Sequence, residues 1–213
     1  MTTVGILGGT GPAGRGVAVR LAAAGHPVVL GSRDADRAAH VASGLASSSI
    51  SGASNDDAAS CDVVVVATPW DSAVATVRAL REALAGKIVI SMVNALTKEG
   101  REMLPLYPPR GSMAAQIAAA LPTSRVVGAF HHLPASEMED LASDLAADVV
   151  IFGDDADART SVESLVNEMP GLRSVVAGST SLASAVEAFT AVCISINIRH
   201  KAHSYVTLAG LSN

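Results

Sequence analysis

The segment VGILGGTGPAG, residues 4–14, constrains the fold of this chain more than any other part of the sequence. The apolar run Val4–Leu7 has the length of a buried strand, and a loop with the spacing Gly9-x-Gly11-x-x-Gly14 follows it directly. These glycines permit a tight turn, a close approach of the backbone to a pyrophosphate, and close packing of the next helix on the strand. A strand, this loop and a helix in succession predict a dinucleotide-binding site, with a purely structural glycine turn as the alternative.

The rest of the chain alternates short apolar runs with segments of helical periodicity. After the first run come Val28–Leu30, Val63–Val66, Ile88–Ile90, Val126–Val127 and Val149–Phe152. Continuous apolar runs of this length, separated by helices, indicate a parallel sheet that is covered on both faces. We therefore predict the α/β class: a Rossmann-like, doubly wound parallel sheet with a small C-terminal α/β extension. The predicted domains are residues 1–140, which bind the dinucleotide, and residues 141–213.

The end of the predicted second strand departs from the pattern typical of NAD-binding proteins. In those proteins an acidic residue accepts hydrogen bonds from the 2′-hydroxyl of the adenosine ribose and repels a 2′-phosphate. Here the strand ends in Gly31, Ser32 and Arg33, and Arg37 follows one turn into the next helix. A hydroxyl and two guanidinium groups suit a phosphate, whereas bare cations near a helix N-terminus oppose the helix dipole. The sequence predicts NADP rather than NAD, with solvated arginines at a helix start as the alternative.

Charge and cysteine content narrow the class of protein. The net charge of −5 argues against a broad nucleic-acid-binding surface, which needs clustered Lys and Arg. Cys61 and Cys193 have no metal-ligand spacing and are expected to be reduced thiols, so no metal site is predicted. The chain passes from Met1 almost directly into its first strand, without the basic and apolar regions of a signal peptide. We expect a cytoplasmic protein.

The stretch Leu182–Ile198 differs from the other helical segments because it is apolar nearly all the way round. Glu187, Asn197 and several hydroxyl groups interrupt it, so we expect it to be too short and too polar to span a bilayer. Such a helix needs burial on two sides, either beneath the chain's own sheet or against a second copy of the chain. We expect a homodimer, and packing beneath the sheet stays open as the alternative.

Two further positions follow predicted strands, at the carboxyl edge where doubly wound sheets bind ligands. Trp70 comes after Pro69, just beyond the run Val63–Val66, and His131 and His132 lie beyond a later strand. The alternative interpretations are a large core side chain for Trp70 and a structural role for His131. Neither histidine has partners at metal-ligand spacing.

With these motifs in view, the sequence resembles the NADPH-dependent reductases of the deazaflavin coenzyme F420, the F420H2:NADP oxidoreductase family. The resemblance covers almost the whole chain. Its motifs are GILGGTGPAG (5–14), VVLGSRD (28–34), ATPWDSA (67–73), RVVGAFHHLPA (125–135), FGDDADA (152–158), GSTSLASAVEAFT (178–190) and INIRHKAH (196–203). The first two motifs occur in many NADP enzymes, whereas AFHHLPA and the C-terminal half are more specific.

The resemblance implies a reaction and a set of site residues. The reaction is direct hydride transfer between C4 of the nicotinamide and C5 of the 8-hydroxy-5-deazaflavin ring of coenzyme F420. The positions implied to hold the adenosine and phosphates of NADP(H) are Thr10, Gly11, Pro12, Ala13, Ser32, Arg33 and Arg37. Those implied to lie along the rest of the dinucleotide are Trp70, Val93 and Ala135, and those on the deazaflavin side are His131, Leu133 and Thr190.

The match is weaker near the C-terminus. The family has a serine where this chain has Ala188, next to the late positions assigned above. The basic residues Arg199, His200, Lys201 and His203 either meet the acidic tail of the coenzyme or only complement the end of a helix.

The motifs that are absent agree with this chemistry. Hydride transfer between two bound cofactors needs no nucleophile, metal or catalytic triad, only two rings held at short range with water excluded. The sequence contains no Tyr-x-x-x-Lys, HExxH or GxSxG motif. We therefore assign no catalytic side chain and no metal ligand.

Two alternatives stay open at the level of sequence. An NADPH-dependent flavin or ferric reductase is one, since the cytosolic domain of certain membrane ferric reductases resembles the same motifs. A non-catalytic NADP-sensing protein is the other, because its GGTGPAG loop would look the same. All three hypotheses involve small-molecule partners, and we expect neither nucleic acid nor a membrane among them.

Overall fold

The computed structural model describes residues 1–45 and 47–211, and within them the chain forms ten strands and nine helices. The strands are β1 (Val4–Leu7), β2 (Val28–Ser32), β3 (Ile50–Ser54), β4 (Val63–Val66), β5 (Ile88–Ser91), β6 (Leu96–Glu99), β7 (Glu102–Pro105), β8 (Arg125–Gly128), β9 (Ala147–Gly153) and β10 (Leu172–Gly178). The helices are α1 (Pro12–Ala23), α2 (Ala35–Ser43), α3 (Asn55–Ala59), α4 (Trp70–Ala79), α5 (Arg81–Leu84), α6 (Met113–Ala120), α7 (Ala135–Glu139), α8 (Ala156–Glu168) and α9 (Ala183–His200).

Eight of these strands form one sheet in the order β10-β9-β8-β5-β4-β1-β2-β3. From β3 to β8 all neighbouring strands are parallel, in the order that a Rossmann fold adopts. The connections run outward in one direction from β1 and then in the other from β4, so a crevice opens at the carboxyl ends of these two strands. The predicted α/β class and doubly wound sheet are confirmed.

The last two strands of the sheet differ from the expectation of parallel pairing throughout. β9 pairs with β8 in antiparallel register, with Val127 opposite Gly153, and β10 is parallel to β9. The C-terminal segment therefore extends the same sheet at its edge. The expectation was wrong here because periodicity reports burial but does not report strand direction.

Four strands, β3, β6, β7 and β10, have no counterpart in the predicted runs. The hairpin of β6 and β7 forms a separate two-stranded sheet, and β3 and β10 are the two edges of the main sheet. β3 has the sequence ISGAS, in which Gly52 lies against the backbone of Ala38 so closely that a Cβ would fall 2.1 Å from its carbonyl oxygen. Small residues are needed there for α2 to pack on the strand, and they leave no apolar alternation in the sequence.

The helices cover both faces of the sheet, as a buried parallel sheet requires. Val17 and Leu21 of α1 and Val162 and Leu165 of α8 belong to the core on one face. The core of the other face includes Val77, Leu84, Ile117 and their neighbours from α4, α5 and α6. Val17 and Leu21 on α1, and Val162 and Leu165 on α8, recur at the spacing of one helical face.

Helix α9 is longer than its apolar stretch suggested. With a 3₁₀ turn at Thr180–Leu182 it forms 21 helical residues, which is long and apolar enough to cross a membrane by length and composition, so the expectation that it is too short was wrong. It packs against β7 and the start of α6, and Ala183 joins Phe152 of β9 in a small core cluster. Phe189, Val192 and Ile196 on its other side are exposed.

Candidate dinucleotide site

A cleft of about 860 Å³ lies at the carboxyl ends of β1, β2, β4 and β5, across the crevice that the strand order creates. Its lining comes from the glycine loop, the end of β2, the start of α4 and the segment after β5. The residues assigned from sequence that line it are Thr10, Gly11, Pro12, Ala13, Ser32, Arg33, Arg37, Trp70 and Val93.

The glycine loop leaves the first turn of α1 open to this cleft. Gly11 is the N-cap residue, and no side chain caps the helix, so its dipole and N-terminal N–H groups face a ligand without a competing acceptor. A Cβ on Gly11 would approach only the carbonyl oxygen of Gly8, at 3.8 Å. By contrast, a Cβ on Gly14 would lie 2.8 Å from Cα of Gly9, so only glycine lets the helix pack on the loop.

The end of β2 has no room for the acidic side chain typical of NAD-binding proteins. A Cβ on Gly31 would lie 2.8 Å from both the Cβ of Ala58 and Oδ1 of Asn55. The side chains of Arg33 and Arg37 are exposed, and neither forms an ion pair with a residue that the structure describes. This corner of the cleft is therefore cationic, and its charge is available to an anion.

Asn55 is a cleft residue that the sequence did not single out. It begins α3, and its Oδ1 accepts a hydrogen bond of 3.3 Å from the N–H of Gly8, whose φ is +70°. Asn55 thus joins the strand edge at β3 to the entry of the glycine loop. No local pattern identifies it, because β3 itself lacks an apolar run.

Trp70 lies on the cleft wall as the first residue of α4, with 40% of its surface exposed. The alternative interpretation of a core side chain therefore does not describe its position. An indole on a cleft wall offers an apolar face to a flat ligand.

At the β5 end of the cleft, buried Val93 lies beside Asn94, a second residue that the sequence did not single out. Oδ1 of Asn94 accepts a hydrogen bond of 3.1 Å from the hydroxyl of Thr190 on α9. The same hydroxyl lies 3.2 Å from the carbonyl oxygen of His131. Thr190 and His131 lie outside the cleft lining: Thr190 contacts the cleft residue Asn94 directly, and His131 is linked to Asn94 through Thr190.

His131 is enclosed rather than exposed to a cavity. It is 5% exposed, stacks on Phe152 with ring centroids 5.4 Å apart, and finds no hydrogen-bond partner for Nδ1 or Nε2 among the described residues. Burial, with a smaller contribution from neighbouring His132, lowers the pKa of His131 to about 3. The imidazole is therefore neutral at physiological pH and keeps one N–H donor and one nitrogen acceptor without partners.

Ala135 and Leu133 lie on the other side of the glycine loop. Ala135 begins α7 and lines a depression of about 450 Å³ together with Pro12, which also lines the main cleft. Leu133 is half-buried and packs against the core of that face. The structure thus brings Ala135 next to the cleft, whereas Leu133 contributes to the core beside it.

Glu187 is a third residue that the sequence did not identify as part of the site's support. It is buried on α9, and its two carboxylate oxygens accept hydrogen bonds of 2.7 and 2.9 Å from the N–H groups of Met113 and Ala114 at the start of α6. Burial raises the pKa of Glu187 to about 7, although these two hydrogen bonds act in the opposite direction. One turn before Thr190, this carboxyl group fixes α9 against α6.

Three of the basic residues near the C-terminus, Arg199, Lys201 and His203, have a defined contact or conformation. Arg199 pairs with Glu102 of β7 at 3.2 Å, and Nδ1 of His203 lies 3.0 Å from the hydroxyl of Ser136 on α7. Lys201 ends α9 in the left-handed conformation, with φ of 52°. Arg199 and His203 thus each have a partner within the chain.

Comparisons with known proteins identify a family. A family model described as NADP oxidoreductase coenzyme F420-dependent matches residues 3–95. The chain is 33% identical over 209 residues to the F420-dependent NADP reductase of Methanocaldococcus jannaschii, with 93% of each protein covered. A crystal structure of a candidate F420-dependent NADP reductase from Arthrobacter sp. FB24 matches with a TM-score of 0.84 and 26% identity, covering 96% of this chain and 97% of that one.

A more distant similarity concerns one part of a longer protein. Metalloreductase STEAP3 of Rattus norvegicus is 31% identical over 185 residues, which are 87% of this chain and 36% of the relative. The similarity is to that portion of the metalloreductase alone.

Proposed function

The chain belongs to the family of coenzyme F420-dependent NADP oxidoreductases, and from this we infer that it transfers a hydride between NADP(H) and coenzyme F420. It is an NADP oxidoreductase whose two co-substrates are these cofactors. The observation that carries this function is the similarity to F420-dependent NADP reductases over 93% of the chain. The geometry of the cleft agrees with this function. A cationic corner lies at one end of the cleft, and Asn94, which is linked to His131 through Thr190, lies at the other.

The cleft fits NADP(H) at its adenosine end. The 2′-phosphate is a dianion, and the exposed guanidinium groups of Arg33 and Arg37 supply two cations where Gly31 excludes a carboxylate. The hydroxyl of Ser32 adds a hydrogen-bond donor at the same corner. We propose that these residues bind the 2′-phosphate and that the loop residues bind the pyrophosphate, the latter being Thr10, Gly11, Pro12 and Ala13.

The nicotinamide half of NADP(H) is proposed to follow the remaining lining of the cleft. Trp70 follows β4 and Val93 follows β5 in the cleft lining, and Ala135, at the start of α7, lies beside Pro12 of the glycine loop. Their surfaces are apolar, which suits the ribose and pyridine faces once the phosphates are held elsewhere.

His131 supplies the observation that tests whether the chain fits a deazaflavin. A fully buried imidazole with two unpartnered nitrogens is costly, unless a ligand provides a donor and an acceptor. The pyrimidine portion of a deazaflavin carries both carbonyl and N–H groups. We propose that His131 hydrogen-bonds this portion, which requires the ring to leave its enclosed position when the ligand binds, and that Leu133 and Thr190 complete the same side of the site. Ala188, where the family has serine, lines a groove on the opposite face of α9.

The chemistry comes from the two cofactors, in which C4 of the nicotinamide and C5 of the deazaflavin exchange a hydride. The contribution of the chain is orientation and exclusion of water, and no side chain of this set has to act as nucleophile or base. His131 is neutral, so it adds no positive charge beside the reacting rings. The phosphate contacts supply binding energy remote from the reaction, which holds the rings in register.

A flavin or ferric reductase is the second candidate, and the similarity to part of a metalloreductase favours it over a sensor. The decisive experiment mixes the protein anaerobically with NADPH and either oxidised F420, FMN or FAD, and follows the absorbance of each acceptor. Bleaching of F420 with little reduction of FMN or FAD supports the proposed function. Reduction of the flavins alone moves the assignment to a flavin reductase, and NADPH binding without reduction of any acceptor indicates a sensor.

We propose that α9 forms a homodimer interface. Phe189, Val192 and Ile196 form an exposed apolar stripe along a groove of about 630 Å³ between α9 and the β6–β7 hairpin. Glu102 and Arg199 line the same groove and pair with each other, so their charges neutralise one another on this face. In a two-fold dimer the same apolar stripe of each copy would meet. The experiment is light scattering after gel filtration. Val192→Glu is expected to give a monomer, whereas Leu141→Glu on another exposed position leaves the dimer intact, and a monomeric parent protein overturns the proposal.

A cytoplasmic location and the division into two domains are also proposals. Cys61 and Cys193 are free and buried, as in proteins of reducing compartments. The first 140 residues supply the NADP(H) cleft, and residues 141–213 supply Thr190 and the α9 surface. We propose small-molecule partners alone, without nucleic acid or a membrane. Cell fractionation with an antibody tests the location, and recovery in the membrane fraction would contradict it.

A further inference from the structure

Asn94 is placed at the reactive end of the cleft by the order of the strands. Across the carboxyl edge the order is β2, β1, β4, β5, and the corresponding cleft residues are Arg33, the glycine loop, Trp70 and Asn94. A dinucleotide whose 2′-phosphate lies at Arg33 and whose pyrophosphate lies at the loop therefore extends toward Asn94 with its nicotinamide half.

The carboxamide of Asn94 keeps an unused donor. Its Oδ1 accepts the hydrogen bond from Thr190, and its Nδ2 makes a long contact of 3.4 Å with the carbonyl oxygen of Met92. An amide NH2 group has two N–H donors, so at least one is left for a ligand. In the opposite amide orientation Oδ1 of Asn94 would face the carbonyl oxygen of Met92, and neither atom can donate a hydrogen bond. The contact with Met92 therefore places Nδ2 toward Met92 and Oδ1 toward Thr190.

We propose that Asn94 donates a hydrogen bond to the carboxamide oxygen of the bound nicotinamide and that Thr190 is the positioning residue that holds Asn94 for this contact. The inference deepens the proposed function and rests on it only in taking NADP(H) as the ligand of the cleft. The contact assigns a specific partner to the nicotinamide end, which the phosphate-binding residues do not reach.

Thr190 also links this contact to the loop of His131. Its hydroxyl has one proton, and Oδ1 of Asn94 at 3.1 Å and the carbonyl oxygen of His131 at 3.2 Å are both within its reach. A shift of the hydroxyl toward His131 releases Asn94, and a shift toward Asn94 orients its amide. Residues assigned to the two cofactors thus share a single donor.

The test compares two ligands that differ in the nicotinamide half. Titration calorimetry measures Kd for NADPH and for adenosine 2′,5′-bisphosphate, which keeps the adenosine and its phosphates but has no nicotinamide. Asn94→Ala is expected to raise the Kd for NADPH about threefold to tenfold, the effect of losing one net hydrogen bond. The Kd for the bisphosphate is expected to stay within about twofold of the parent value. An equal loss for both ligands, or no loss for either, overturns the proposal.

The role of Thr190 is tested with matched variants. Thr190→Val removes the hydroxyl at nearly constant shape and is expected to raise the Kd for NADPH as much as Asn94→Ala does. Thr190→Ser keeps the hydroxyl and is expected to bind NADPH with the parent affinity. The double variant is expected to bind NADPH no more weakly than Asn94→Ala alone, and additive losses would exclude action through Asn94. Thr160→Val, an exposed position on α8, is the control and leaves Kd unchanged.

Neither measurement requires F420. A protein that fails to reduce F420 but shows the selective loss of NADPH affinity contradicts the proposed function and leaves this inference intact. If the parent protein reduces F420 and the Asn94→Ala variant binds both ligands equally more weakly, the proposed function stands and this inference is overturned.

Discussion

Gly31 and Asn55 fill the corner where NAD-binding proteins have an acidic side chain: a Cβ on Gly31 would lie 2.8 Å from Oδ1 of Asn55. The same Oδ1 accepts the hydrogen bond of the Gly8 N–H, so it is not free to move away without loss to the glycine loop. The absence of a carboxylate at this position is therefore a consequence of packing as well as of the ligand. Cofactor preference and loop geometry are coupled through one amide side chain.

Arg33→Ala is expected to lower kcat/KM for NADPH much more than kcat/KM for NADH. Only NADPH carries the 2′-phosphate, and the loss of a charged hydrogen bond to it costs about 1.5–3 kcal/mol, or about tenfold to hundredfold in kcat/KM. Steady-state kinetics with both cofactors checks this, with exposed Arg81→Ala on α5 as the control for loss of a surface charge. Equal effects on NADPH and NADH would show that Arg33 does not bind the phosphate.

Gly11→Ala is expected to weaken NADPH binding with little effect on stability, whereas Gly31→Ala is expected to lower the stability of the fold. The Cβ at position 11 meets nothing closer than 3.8 Å, so stability changes by no more than about 0.5 kcal/mol while the methyl group obstructs the phosphates and NADPH binding weakens. The Cβ at position 31 meets Ala58 and Asn55 at 2.8 Å, and overpacking of this kind costs about 1–3 kcal/mol. Urea unfolding and calorimetry on both variants separate the two. A stable Gly31→Ala protein would contradict this packing.

Glu187 is expected to make stability depend on pH. Its folded pKa of about 7 lies above the ordinary value of 4.5, so the protonated form is favoured in the folded protein, and the stability it contributes is present below pH 4.5 and lost as pH rises toward and through 7. Glu187→Gln has no such dependence. The free energy of unfolding of the parent minus that of the variant is therefore expected to fall by about 1–3 kcal/mol from pH 5 to pH 8.

The neighbouring groups do not confuse this measurement. Burial lowers the pKa values of His131 and His132, so both make stability rise with pH, and this contribution is common to the two proteins and cancels in their difference. The pair of Glu102 and Arg199 lies farther along, on β7 and the end of α9. Urea unfolding of both proteins at the two pH values gives the difference. If the difference grows with pH instead, the two N–H groups of α6 stabilise the carboxylate more than burial destabilises it.

Arg20→Met is expected to destabilise the protein by about 3 kcal/mol or more. Arg20 is 1% exposed, and its guanidinium donates to the carbonyl oxygens of Glu137, Met138, Asp140 and Pro170. Removal of the donor leaves these carbonyls without their partner in the interior. Urea unfolding measures the loss, and a variant within about 1 kcal/mol of the parent would show that water replaces the guanidinium.

Much of the candidate site was accessible from local sequence. The glycine loop, the cationic end of β2 and Trp70 all follow apolar runs, and parallel topology brings strand ends to one edge. Asn55, Asn94 and Glu187 were missed because their partners Gly8, Thr190 and Met113 are 47, 96 and 74 residues away. No local pattern records such pairs.

The sequence by itself determined the doubly wound fold, the position of the cleft and the cationic corner, because apolar periodicity, glycine conformation and charge are properties of neighbouring residues. Only the tertiary structure decided the antiparallel edge of the sheet, the enclosure of His131 and the link from Thr190 to Asn94. These depend on how α9 and β9 pack against segments distant in the chain. Residues far apart in the sequence bury and hydrogen-bond one another only after the chain has folded, so no pattern of neighbouring residues predicts these contacts.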